Sequence, residues 1–274
     1  MKTYPAILAL FCISVQPASP AEATGTNVVA RRSDVRFARS AAYATSAEVV
    51  RRLGIRSNSK GHALAAEKFQ IIVPSTFSTN VPWGLLVWIS PGDSPGIPSD
   101  WEAELAKQQV LLVGAYKSGN RRDIVERSGL ALDAAFNMRQ LYKINPKRIC
   151  VGGFSGGGRV ASMVGMAYPD VFTGTLCVCG VNFYTNVIAG GNNWPRSFNP
   201  DAGLLAQAKE RRFVLLTGEH DFNRENTRDL WRGGFESEGF RNARYVEVPG
   251  LKHALPSVEV LGAALEFVAG KQTE

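Results

Sequence analysis

The chain has 274 residues, 45% of them hydrophobic, which is the composition of a soluble globular protein with length for one large α/β domain or two small ones. Its four cysteines are too few for an exported disulfide scaffold. The formal net charge is +7, and seven arginines between Arg31 and Arg56 carry much of the excess; no aromatic interleaving or nucleic-acid motif accompanies them, so a solvated segment is the reading and a nucleic-acid partner is not expected.

At the N-terminus, Met1 and Lys2 precede the apolar "AILALFCISV" and the small-residue run "QPASPAEA", the layout of a signal peptide over residues 1–23. The apolar run is too short to span a bilayer, and Cys12 follows Phe11 and not the small residue that lipoprotein processing prefers. A periplasmic or secreted chain, free of the membrane after cleavage, is expected. Removing the leader removes Lys2 and Glu22, so the net charge is unchanged. Residues 24–66 read as an irregular, arginine-rich lead-in, and 67–274 as the folded domain.

"EKFQIIVPS" and "PWGLLVWIS" are predicted strands around the polar turn "TFSTNV", which implies a hairpin. The pattern then alternates. A helix around "DWEAELAKQQ" precedes the strand "VLLVGAY", and a helix from about Asp123 to Tyr142, with Val125, Leu132 and Phe136 on one stripe, precedes the strand "RICVGGF". A helix from Gly157 to about Tyr168, the strand "TLCVCGV" and an Asn/Gly-rich loop from Asn182 to Pro200 follow. The helix "AGLLAQAKERR", the strand "FVLLTG", the helix "ENTRDLWRGGFESEG", the strand "RYVEVPG" and the helix "SVEVLGAALEFVAG" complete the chain. Apolar strands alternating with amphipathic helices predict a doubly wound α/β domain: a mostly parallel sheet, helices on both faces, and no large cap domain.

Cys150, Cys177 and Cys179 lie beyond the leader. Two apart in a strand, Cys177 and Cys179 are expected to point the same way. Buried free thiols are favoured over a bridge. No histidine keeps ligand spacing with these cysteines, so no metal site is expected.

Gly153-Phe154-Ser155-Gly156-Gly157 fits G-x-S-x-G between a strand and a helix, the context of a nucleophile elbow. The flanking glycines admit the strained serine backbone, and the helix N-terminus offers the Gly156 N–H to an oxyanion. Of the three histidines, His62, His220 and His253, the last follows the final strand and is the candidate base. Asp221, just past the strand "FVLLTG", is the candidate orienting acid, with Glu219 as its rival. The loop Ser90-Pro91-Gly92-Asp93 follows "WGLLVWIS"; proline has no N–H, so Gly92 is the first choice for the second oxyanion donor and Asp93 the second. The Asp93 side chain is expected to turn away or to cap the following turn.

From about Glu67 to Phe267 the chain resembles the α/β-hydrolase superfamily. "VGGFSGGGRVASMVGMAYPDVF" is similar to its branch of polyhydroxybutyrate-depolymerase-like and feruloyl-esterase-like exported esterases, which carry His-Gly where this chain has Ser-Pro-Gly-Asp. The resemblance implies Ser155 as nucleophile, Asp221 as acid, His253 as base and the Gly156 N–H in the oxyanion hole.

The expected function is hydrolysis of small or polymeric carboxylic esters through an acyl-enzyme, with no cofactor. A peptidase or acyltransferase with the same triad, or a non-catalytic binding protein on this fold, are the competing readings. Asn182, Phe183, Tyr184 and Trp194 are candidates for the wall of the substrate pocket, their aromatic rings suited to an aryl or bulky acyl group.

Overall fold

The computed structural model describes residues 31–271; the proposed signal peptide lies outside them. In chain order the elements are β1 (Arg31–Val35), α1 (Ser46–Leu53), β2 (Phe69–Val73), β3 (Trp83–Ile89), α2 (Trp101–Lys107), β4 (Val110–Ala115), α3 (Ile124–Leu141), β5 (Ile144–Phe154) and α4 (Gly156–Ala167). There follow β6 (Gly174–Val178), the short strands β7 (Val187–Ala189) and β8 (Asn192–Trp194), α5 (Ala202–Ala208), β9 (Arg212–Gly218), α6 (Arg224–Leu230) with a π-helical extension to Glu236, β10 (Asn242–Val248) and α7 (Val258–Ala269). No helix among the described residues is long and apolar enough to cross a membrane.

Eight strands form one sheet in the order β1-β2-β4-β3-β5-β6-β9-β10. From β4 to β10 every pair is parallel, while β1 and β2 join antiparallel at one edge. Both faces of the central strands are covered, which is why they read as continuous apolar runs. Along β3, Leu85, Val87 and Ile89 face one core with α3 and α4, and Leu86 and Trp88 face the other with α2 and α7.

Three expectations need correction. The "EKFQIIVPS" and "PWGLLVWIS" strands are not a hairpin: β2 pairs with β4, which lies between β2 and β3. The cause is the α2 crossover, which returns β4 parallel to β3 and takes the edge that a hairpin partner would need. The Asn/Gly-rich loop is also not structureless, because Val187–Ala189 and Asn192–Trp194 pair around the left-handed Gly190 and Gly191. Finally, Cys177 and Cys179 belong to opposite cores. The strand stops at Val178, and Cys179 has φ +53°, so the alternation of side chains ends one residue too early. All three cysteines are free and buried.

From Arg31 onward the arginine-rich lead-in, expected to be irregular, is part of this domain. β1 extends the sheet, and α1 buries Val49 and Leu53 against the α3 side of the core. Its arginines have intramolecular work: Arg32 bonds Glu102, Arg52 bonds Glu48 and Asp170 and lies 4.6 Å over the Tyr168 ring. The segment is tied down by Asp133, a fully buried carboxylate on α3 that accepts from the Ala41 N–H at 2.7 Å, from the Ser40 hydroxyl at 3.0 Å, and contacts His62 Nε2 at 2.7 Å. His62 therefore ties the lead-in to α3. Asp133→Ala leaves three donors without their acceptor, an expected loss of about 3 kcal/mol in urea unfolding; a loss within error of zero would show that the lead-in is held by its apolar contacts alone.

Candidate functional site

Ser155 closes β5 and opens α4 with φ +54° and ψ −120°, a conformation that costs an L-residue about 1–3 kcal/mol. Its N–H donates to the Val178 carbonyl at 2.7 Å, which fixes the turn against β6. The glycines around it are required by contact. A Cβ on Gly157 would lie 1.9 Å from the Ile89 carbonyl oxygen, and one on Gly153 would lie 2.4 Å from the Gly157 carbonyl carbon. The first turn of α4 thus starts at the hydroxyl, with the Gly156 N–H at the positive end of the helix.

The sheet brings two remote residues to this turn. His253, in the loop after β10, places Nε2 at 2.9 Å from Ser155 Oγ and Nδ1 at 2.7 Å from Asp221 Oδ1. A carboxylate only accepts, so Nδ1 carries the proton and Nε2 is left to accept from the serine hydroxyl. Asp221, in the turn after β9, also accepts from Thr217 Oγ1 at 2.8 Å and from the Asn223 N–H at 3.0 Å. Burial by itself raises the Asp221 carboxyl, but the bonds from Asn223, His253 and Thr217 together hold it below its usual range. Phe222 stacks on the imidazole at 4.0 Å and Phe154 lies 4.9 Å from it, so the ring is flanked by apolar surface. Glu219 instead accepts from the Gly250 N–H at 2.8 Å, and His220 is exposed with its nearest acid 4.0 Å away.

The oxyanion side differs from expectation. The Gly92 N–H donates to Ser90 Oγ at 3.1 Å and is occupied. Asp93 turns outward as expected, its carboxylate 3.5 Å from Arg121. The group that sits over Gly156 is the side-chain amide of Asn120, so close that a Cβ on Gly156 would lie 2.0 Å from Asn120 Oδ1. The Asn120 N–H in turn donates to the Pro91 carbonyl at 2.9 Å, tying the loop after β4 to the loop after β3. Nothing in the sequence marks Asn120; only the adjacency of those strands places it here.

A cleft of ≈ 370 Å³ opens in front of Ser155, lined by Asn120, Ile124, Arg127, Gly156, Arg159, Val160, Asn182, Phe222 and Asn223. Of the four wall residues expected from sequence, only Asn182 is among them. Phe183 and Tyr184 point inward to Phe235 and Phe240, and Trp194 donates Nε1–H to Asp229 at 3.1 Å. Those three rings are taken by the core and the small hairpin, and the cleft keeps Ile124, Val160 and Phe222 as its apolar lining beside the Asn and Arg side chains.

Cys179 Sγ, Asp221 and His253 present ligand atoms within 4.8 Å of one another, a proximity invisible in their sequence spacing. The carboxylate and the imidazole already bond directly, and burial pushes the Cys179 thiol far up, so this group fits a hydrogen-bonded dyad better than a metal site.

Comparison with known proteins agrees with the architecture. No family model matches the sequence. A polyhydroxybutyrate depolymerase from Talaromyces funiculosus is 28% identical over 138 residues, covering 42% of this chain; the chain spans about two-fifths of that relative's length, 40%. Among solved structures, a feruloyl esterase module from Clostridium thermocellum superposes with a TM-score of 0.58 at 14% identity, covering 76% of this chain and 86% of the module. An arylesterase superposes with a TM-score of 0.57 at 13% identity, covering 89% of this chain and 87% of the other. Sheet order, elbow and neighbours lead to one conclusion about architecture: the chain has the α/β-hydrolase fold.

Proposed function

We propose that the protein is an exported serine esterase, in which Ser155, His253 and Asp221 hydrolyse small or polymeric carboxylic esters. The observation that carries this reading is the unbroken hydrogen-bonded chain from Ser155 Oγ through His253 to the buried Asp221, with the serine raised on a strained turn. A serine at its free pKa is a weak nucleophile; an imidazole 2.9 Å away that can take its proton makes it a competent one. The two solved neighbours are esterases, and that chemistry is assigned to this chain here.

In the acylation step Ser155 Oγ attacks the ester carbonyl as its proton passes to His253 Nε2. The imidazolium so formed is held by Asp221, and the tetrahedral oxyanion accepts from the Gly156 N–H and from the Nδ2–H of Asn120. His253 then donates the proton to the departing alkoxide oxygen. Water attacks the acyl-enzyme with the same imidazole as base, releasing the acid and restoring Ser155. Side chains and water complete the cycle. Passage across a membrane is assigned to the signal peptide, and the mass of the protein recovered from the periplasm or medium tests it.

The mature chain is expected to hydrolyse p-nitrophenyl acetate and butyrate. Ser155→Ala and His253→Ala each lose on the order of 10⁶-fold in kcat, and the double variant loses hardly more, because the residues act as a unit. Wild type no faster than Ser155→Ala would end the esterase reading. Asn120→Ala is expected to lower kcat by about 10²-fold with little change in KM, as for removal of one oxyanion donor; an unchanged kcat would return that role to the backbone of the Ser90–Asp93 loop.

Asp221 carries a pH signature as well. Its folded pKa lies below the ordinary value near 3.8, so its ionisation stabilises the folded state fully above that value, and the contribution disappears as pH falls through the lower folded value. The stability gap between wild type and Asp221→Asn, measured by urea unfolding, is therefore expected to be wide near neutrality and to narrow below about pH 4. A gap that stays constant down to about pH 2 would show that the bonds to Thr217 and Asn223 do not hold the ionised form.

A further inference from the structure

The cleft beside Ser155 holds two guanidinium groups and no acid. Arg159 stands one turn along α4 from the serine, and Arg127 lies on the first turn of α3; both line the cleft, and none of the other residues lining it is Asp or Glu. Every hydrogen bond they make goes to a neutral acceptor. Arg127 donates Nε–H to the Ser118 carbonyl at 2.8 Å and Nη2–H to the Ser90 carbonyl at 3.1 Å. Arg159 donates Nη1–H to the Val181 carbonyl and to Asn182 Oδ1, both at 3.2 Å, and Nη2–H to Asn223 Oδ1 at 3.1 Å. Among the described residues no carboxylate lies within 4.0 Å of either.

By contrast, Arg32, Arg52 and Arg122, which are also partly buried, each meet a carboxylate. Arg127 is only 5% exposed. Burial pulls its guanidinium down to about 10 with no acid to oppose it, and pulls Arg159 down too, countered only by Asp221, whose carboxylate is engaged by His253. Two cations held out of bulk water without a counter-charge are costly. Facing a cleft, they lower that cost only when an anion enters.

On the esterase reading above, we propose that the cleft selects esters that carry a free carboxylate, with Arg159 and Arg127 as its docking groups. The guanidinium fork matches a carboxylate in two parallel hydrogen bonds. Asn120, Asn182 and Asn223 add neutral polar surface around it, and the chain's net charge of +7 favours encounter with an anionic substrate. A monoester of a dicarboxylic acid, or an ester of a hydroxybenzoic acid, has the required chemistry.

Two matched pairs test this. Mono-p-nitrophenyl glutarate against p-nitrophenyl valerate places the charge in the acyl part; 4-acetoxybenzoate against 4-methylphenyl acetate places it in the alcohol part. In wild type at low salt, the anionic member of at least one pair is expected to have a kcat/KM about tenfold higher, a difference that about 0.5 M NaCl reduces by screening. Arg159→Gln is expected to bring that ratio close to one, and Arg159→Lys to keep part of it.

The ratio separates docking from a purely structural role. Were the arginines only struts for the loops they bond, the variants would lose both members of a pair alike and the ratio would not move. Neutral esters hydrolysed with a ratio near one in both pairs would overturn the inference and leave the esterase reading intact. No turnover of any of the four, with the protein folded by circular dichroism, would remove the esterase reading and this inference with it.

Discussion

The backbone at Ser155 is the constraint on which the rest of the site depends. A serine at φ +54° persists only if its surroundings over-determine it, and here they do so from three sides. Its N–H is held by β6 through Val178, Gly157 is pressed on the Ile89 carbonyl of β3, and Gly153 is pressed on Gly157. The central strands must approach this closely because they are parallel, apolar and packed on both faces. The same packing that stabilises the sheet therefore sets the nucleophile above its edge and leaves the first amide of α4 in front of it.

Electrostatics then divide the site into two regions of opposite character. On one side, Asp221 is buried but fully satisfied, with bonds from Thr217, Asn223 and His253 that keep it ionised. Phe222 and Phe154 line the imidazole between acid and serine and keep that path apolar. On the other side, Arg127 and Arg159 face the cleft with neutral partners only. Asn223 joins the two regions: its N–H bonds Asp221, its side-chain carbonyl bonds Arg159 and its amide bonds the Cys179 carbonyl at 2.8 Å. A change on the cation side is thus one residue away from the triad.

The front of the chain takes part in the same architecture. Asp133 anchors Ser40, Ala41 and His62 to α3, and α3 also carries Arg127 toward the cleft. Packing of the lead-in against α3 therefore bears on the position of a cleft-lining side chain, which gives the arginine-rich segment a structural purpose. Within it, Arg32, Arg51 and Arg52 pair with Glu102, Glu48 and Asp170.

Much of this was legible in the residues themselves. Alternation of apolar strands with amphipathic helices dictates an α/β sheet covered on both faces, and G-x-S-x-G between strand and helix dictates an elbow. Only three histidines were available, and position singled out His253, which the fold indeed brings to Ser155 and Asp221. Periodicity reports which face of one element is apolar, and steric rules report which turn a glycine allows; both are local. What lies beside what is decided by long-range packing. Tertiary structure alone inserted β4 between β2 and β3, set Asn120 over Gly156, turned Phe183 and Tyr184 into the core, and left two arginines in the cleft without an acid. The physical reason is that burial and charge pairing are properties of neighbours in space, and the spacing of residues along the chain does not encode who those neighbours are.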